Sequence, residues 1–173
     1  NWAVEELQGI DPGNRRRDKQ AMALLGTLSS RPTTGLSGTC AGWSEPLAAY
    51  RFFDNDAITW DDLLAPHWSC SKMRMARPKV VLMPQDTIEL DFNGQGMTGL
   101  GPELETQRGW YGHSTYAVSA DREPLGVLDA GRWARQPKDA NAQHPGIKER
   151  TRGIEGDERV AELATEVPDA RLV

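Results

Sequence analysis

Apolar positions follow a helical period in the first part of the chain and an alternating one after Pro78. Over residues 16–28, Ala21, Leu24, Leu25 and Leu28 recur at i, i+3, i+4 and i+7, which predicts an amphipathic helix with one stripe toward a core, closed at Arg31-Pro32. A Ser-, Thr- and Gly-rich loop is expected from Ser29 to Gly42. Ser44 is placed to cap a second helix, with Glu45 and Pro46 in its first turn and Leu47, Tyr50, Arg51 and Phe53 along it. Thr59-Trp60-Asp61-Asp62 reads as a cap before a third stretch through Leu63 and Leu64, and a separate run from His67 to Ala76 leads to Pro78. Residues 1–77 are thus expected to form mainly short helices.

Beyond Pro78, Lys79 to Met83 predicts a buried strand, and the alternation Ile88-Glu89-Leu90-Asp91-Phe92 predicts another. Asp86 falls just past the apolar run, at the C-terminal end of the first of these strands. In a continuous strand it would share a face with Ile88 and Leu90, with Glu89 and Asp91 turned the other way, toward solvent. Residues 93–101 form a glycine-rich stretch without the Lys-Ser/Thr of a phosphate loop, so a turn is expected. His113 to Ser119 and Leu125 to Asp129, the latter extending toward Trp133, read as a hairpin. Arg135 to Arg152 is polar, with Pro137, Pro145 and Gly146, and predicts a long exposed connection. Glu158 to Val167 is helical again, and Arg171-Leu172-Val173 opens another strand. The order strand, strand, strand, helix, strand behind a helical first part makes this an α+β or α/β chain of two domains, 1–77 and 78–173.

Composition narrows the class. The chain has 173 residues, 38% of them hydrophobic, enough for a buried core, and no run of 18 apolar residues that would span a membrane. The first residue is Asn1 rather than Met, and the last residues start a strand, which together suggest a fragment. Cys40 and Cys70 lie far apart without C-x-x-C spacing, so reduced core thiols in a cytoplasmic protein are expected. The six Trp residues are scattered and read as core anchors. Net charge is −5, but residues 1–77 balance nine Lys/Arg against nine Asp/Glu, so the acidity belongs to the second part. Arg15-Arg16-Arg17 and Lys19 make one basic cluster, suited either to phosphates or to a solvated helix face.

Several constellations fail on their own chemistry. Gly35-Leu36-Ser37-Gly38-Thr39 lacks the last glycine of a nucleophile elbow. His67-x-x-Cys70 has metal-compatible spacing but no second pair, and His113 and His144 stand isolated in the sequence. Asp86 remains. Two-metal phosphoryl transfer needs carboxylates converging from several elements, because hard cations take oxygen ligands; an acid on the first strand of such a sheet is one way to begin, although a lone Asp at a strand end more commonly caps a turn.

Seven blocks then carry a resemblance: Trp2 with Glu5-Glu6-Leu7, Gly13-x-Arg15-Arg16, Tyr50-Arg51-Phe52, Leu64-Ala65-Pro66-His67, Gln85-Asp86-Thr87, Gln107-Arg108-Gly109 and Pro124-Leu125-Gly126-Val127-Leu128. In order and spacing the chain resembles the N-terminal part of bacterial cut-and-paste transposases of the acid-triad (DDE) class, in the transposon-five and insertion-sequence-four group. The resemblance implies a short-helix DNA-binding domain followed by an incomplete ribonuclease-H-like mixed sheet. It implies that Asp86 is the first catalytic carboxylate, a ligand of Mg²⁺ or Mn²⁺ in the complete enzyme with weak or absent binding expected in this chain, and that Arg16, Arg17 and Arg51 touch double-stranded transposon-end DNA. It further implies a homodimer on DNA or pairing with an intact transposase, and a bacterial cytoplasmic protein associated with the nucleoid when bound. The chain departs from the family at Pro12 and Asn14 around Gly13, and at Gln20, where a further arginine is usual. With two of three acids beyond this sequence, the chain alone is expected not to cleave DNA; a non-catalytic DNA-binding or regulatory fragment and an inert remnant are the competing functions.

Overall fold

The computed structural model describes residues 2–11, 13–39, 44–92, 101–102, 108–134 and 149–173. They form two compact units, residues 1–70 and 71–173, the division falling inside one helix. Cys40, His144, Trp43, the glycine-rich stretch before Gly101 and the connection up to Lys148 lie outside the described residues.

The first unit is helical: α1 (Trp2–Glu6), α2 (Arg15–Ser30), α3 (Leu36–Thr39), α4 (Ser44–Phe53) and the first part of α5 (Trp60–Met75). Leu7, Ile10, Ala21 and Phe52 are its buried centre, with Met22, Leu24, Leu25, Ile58 and Leu63 packed around it. The apolar spacing of α2 thus does what periodicity requires, and the chain leaves the helix as Arg31 N–H reaches back to Leu28 O at 3.2 Å. The start of α5 is a capping box. Thr59 Oγ accepts from Asp62 N–H at 3.1 Å, while the Asp62 carboxylate accepts from Thr59 N–H at 3.0 Å and from its hydroxyl at 2.6 Å.

Three expectations for this unit are corrected. The two helical runs around Leu63 and from His67 are one helix, because Pro66 is accommodated inside α5 despite lacking an N–H. The loop after Ser29 contains the short helix α3. The described tryptophans, those of the sheet unit included, are not core anchors: Trp2 is 54% and Trp60 44% exposed, and Trp68, Trp110 and Trp133 are half-buried. Cys70 is likewise only half-buried, its thiol turned to the carbonyls of Glu5 and Glu6. The spacing partner His67 places Nδ1 2.5 Å from Oε1 of the buried Glu6. A buried carboxylate requires such a partner.

The second unit holds the end of α5, the sheet strands β1 (Val80–Leu82), β2 (Gln85–Asp91), β3 (Gly101–Pro102), β4 (Arg108–Ser119), β5 (Pro124–Trp133) and β6 (Arg171–Leu172), and the helix α6 (Glu149–Glu166). The long β4 is the spine. On one side it pairs antiparallel with β1 and β2, on the other with β5, and β6 joins β1 in parallel. Register is unbroken from β1 to β2: Leu82 stands opposite Val118 and Gln85 opposite Thr115. The two are one strand interrupted where Pro84 lacks an N–H, and Tyr116 N–H still reaches Pro84 O at 3.0 Å. The turn between β4 and β5 closes with Ser119 N–H on Glu123 O at 2.9 Å and places Arg122 at φ 68°.

One face of the sheet is the core. Val81, Met83, Ala117, Leu125 and Leu128 pack there with Met75, and α6 lays Leu163 over them, with Val160 beside and Val167 just past the end of the helix. Burying each of the Val, Leu and Met side chains contributes about 1.5–3 kcal/mol. In β5, Gly126 (φ +143°) is required: a Cβ would stand 1.9 Å from Ser71 Oγ.

The strand carrying Asp86 differs from expectation. Only alternate residues of the apolar run are buried, Leu82 being 41% exposed, so this strand is covered on one face rather than two. Asp86 lies in β2, beyond the proline break, not at the end of a buried strand. α6 begins nine residues before the expected Glu158, since its first half carries no apolar period that could announce it.

Candidate functional site

In the helical unit, α2 and α4 build a concave basic surface. Asn14, in extended backbone (φ −167°, ψ 155°), caps α2 and accepts from Arg16 N–H at 3.1 Å and Arg17 N–H at 3.0 Å. Gly13 (φ +91°) makes the preceding turn; a Cβ there would come within 3.1 Å of Arg17 Nη1. From the cap onward, Arg15, Arg16 and Arg17 occupy the first three helical positions. That is the positive end of the helix dipole, where acids are favoured and each cation is opposed by about 0.3–1 kcal/mol. Asp18 is the one acid in that turn. Three arginines against the dipole lower stability locally, and an anion bound over them relieves it.

α4 brings Arg51 to the same place. Its neighbour Phe52 is 3% exposed in the core, which orients the helix, and Gln20 Nε2 donates to Ala48 O at 2.8 Å, tying α2 to α4. The result is a cavity of about 360 Å³ lined by Arg16, Arg17 and Arg51 together with Asn14, Gln20 and Asn55. Arg16 and Arg51 are exposed and Arg17 half-buried. All three arginines named from the sequence therefore meet, although 34 residues separate Arg17 from Arg51. Asn14 and Asn55 were not legible as part of this surface. Asn14 was noted only as a departure from the family pattern beside Gly13, and Asn55 sits in the turn after α4, where asparagine is unremarkable.

In the sheet unit, Asp86 is exposed on the face opposite α6, between Leu82 and the 53% exposed Ile88. Its Oδ1 accepts from Thr87 N–H at 2.9 Å. The parallel pairing of β6 beside β1 carries that strand toward Asp86: Val173 N–H bonds Val81 O at 2.9 Å, and Met83 N–H bonds Val173 O at 2.7 Å. Among the described residues, no group of three His, Cys, Asp or Glu side chains stands close enough to hold a metal ion. Gln85 and Thr87 point to the other face. There His113 of β4 lies 2.8 Å from Thr87 Oγ through Nδ1 and 3.3 Å from Gln85 Oε1 through Nε2. This histidine, isolated in the sequence, is placed by strand register alone.

Residues 1–58 match the family described as transposase DNA-binding. The match covers α1 to α4 and includes Arg16, Arg17 and Arg51. No curated protein matches the chain. The basic cavity thus falls within a segment similar to transposase DNA-binding domains, which supports DNA binding by the N-terminal portion of a transposase. No helix among the described residues is long and apolar enough to cross a membrane.

Proposed function

We propose that the helical unit binds double-stranded DNA at the ends of a transposable element through Arg16, Arg17 and Arg51, and that the sheet unit is the first part of a ribonuclease-H-like core. The single observation that carries this is the convergence of the three arginines on one cavity in the segment that matches the transposase family. Guanidinium groups suit phosphate oxygens because their planar donors pair two at a time, and neutralised phosphates release counterions. Gln20 and Asn55 line the same surface with neutral donors and acceptors that can orient the backbone or reach a base edge.

In this reading Asp86 is the first carboxylate of an acid triad. It fits as one ligand of Mg²⁺ or Mn²⁺: a hard oxygen donor, exposed, with one oxygen engaged by Thr87 N–H. The cation would offset charge at the phosphodiester being cut. Asp86 alone does not hold two ions, so the described chain binds DNA and contributes one corner of the chemistry. The strand order supports the same core, with the hairpin of β4 and β5 on one side of the Asp86 strand and the parallel β6 on the other. Pairing on DNA, with a second copy or an intact transposase, belongs to this proposal as well.

The test is a titration of a terminal-repeat duplex with the chain across a salt series. Affinity should fall steeply with salt, and Arg51→Ala should weaken binding and reduce the salt slope by about one. Arg16→Ala and Arg17→Ala should act in the same direction, and Asp86→Asn should leave affinity unchanged. Salt-independent binding, or indifference to all three arginine changes, would sink the proposal. Cutting of the duplex in Mg²⁺ or Mn²⁺ that Asp86→Asn abolishes would overturn the expectation that the chain is inactive by itself.

A further inference from the structure

We propose that His113 is a positioning residue for Asp86, gripping from behind the strand segment whose middle residue presents the carboxylate; this rests on the reading of Asp86 as a metal ligand. In a strand, residues two apart share a face and the one between them points away. Gln85 and Thr87 therefore face α6 while Asp86 faces solvent. His113 stands directly opposite Thr87 on β4, so its ring bridges Thr87 and the diagonal Gln85. The Gln85 amide oxygen only accepts, which puts the ring hydrogen on Nε2; Nδ1 then accepts the Thr87 hydroxyl hydrogen. One imidazole thereby holds the residues on both sides of Asp86.

Two neighbours fit this grip. Gly156 of α6 lies over Gln85, and a Cβ at that position would stand 2.1 Å from Gln85 Oε1, so the glycine leaves the amide where His113 meets it. Trp133 flanks the ring, with centroids 6.5 Å apart. A carboxylate that must meet a cation at a fixed distance gains from a backbone that cannot twist, and partners behind a metal ligand are a common way to secure it. The grip also explains why an Asp on an exposed strand is bracketed by two residues with hydrogen-bonding side chains.

The full chain, isotope-labelled, provides the test. Long-range nitrogen–proton spectra should show His113 as a single tautomer with hydrogen on Nε2, and Thr87→Val should disturb it. His113→Ala should speed amide hydrogen exchange at Asp86 and Thr87 while leaving Val81 and Ala117 unchanged. His113→Asn, which keeps a group at the Nδ1 position, should restore part of the protection and serves if the alanine variant does not fold. With Mn²⁺ in large excess as probe, the unaltered chain should show weak broadening centred on Asp86, as one carboxylate of an incomplete acid set allows, and His113→Ala should weaken that binding about tenfold. Mixed tautomers together with unchanged exchange at Asp86 and Thr87 would overturn the grip. Absence of Mn²⁺ broadening in the unaltered chain would instead overturn Asp86 as a metal ligand, and with it the positioning role, while tautomer and exchange would still report whether the grip exists.

Discussion

The helical unit and the sheet unit carry their candidate residues in opposite ways. In the first, three arginines from two helices converge on one cavity, backed by a cap at Asn14 and a strap from Gln20 to Ala48. In the second, one carboxylate stands exposed on a strand, its organisation lying behind it in Gln85, Thr87 and His113 rather than beside it. Binding a polyanion needs several cations on one surface, which neighbouring helices can supply locally. Metal chemistry needs oxygens from distant parts of a sheet, and their meeting depends on long-range pairing. The difference separates recognition from chemistry along the chain.

The comparison breaks most readily through the cores. Phe52→Ala should cost about 3–5 kcal/mol, because an aromatic ring leaves a cavity the small helical core cannot refill. Residue-resolved hydrogen exchange should show protection falling in α2 and α4 but persisting in β4. Equal loss in both would mean that the two units do not respond separately. Asn14→Ala tests whether the basic surface depends on its cap. Stability should drop by about 1 kcal/mol in a denaturant titration, with terminal-repeat affinity changed far less, since the arginines and not the cap meet phosphate.

The third prediction concerns acid. The Thr59 hydroxyl and amide hold the Asp62 carboxyl below its ordinary value. A lowered native value means stability that is fully present above the unfolded value and is lost as pH falls through the folded one. Asp62→Asn should therefore destabilise α5 near neutrality and flatten the acid dependence below about pH 4, seen by comparing denaturation curves of the two proteins. The smallest effect should come from Lys72, whose Nζ lies 2.6 Å from Glu166 Oε2 with both side chains substantially exposed. Lys72→Ala should cost no more than about 1 kcal/mol, and added salt should erase most of it. A larger effect would show that this pair, rather than apolar packing, secures α6.

Much of the helical unit was legible beforehand. Helix α2 showed in the spacing of Ala21, Leu24, Leu25 and Leu28, and the start of α5 in Thr59 and Asp62. These are signals between residues three or four apart, which a helix brings together whatever the rest of the chain does. The two runs on either side of Pro66 read as separate because neither shows a continuous apolar period, while the fold keeps one helix with the proline inside it. The arginines were nameable by motif, and their type fits a phosphate surface. Their meeting with Asn55 in one cavity followed from the way α2 and α4 pack.

The hairpin of β4 and β5 was also legible, yet its partners were not. The alternation that marks a strand is silent about which strand lies beside it. Thus His113 read as isolated, although register sets it opposite Thr87, and the exposure of Asp86 could not be inferred from an apolar run covered on one face only. The residue order alone specified helices, caps, strand periods and the chemical types at the candidate sites, because those depend on neighbours a few positions apart. Which of those residues came to share a surface was settled by folding in three dimensions. The shared cavity of Arg17 and Arg51, and the contact between Gln85 and His113, are chosen by burial of the whole core and by strand pairing, and no short stretch of chain encodes either.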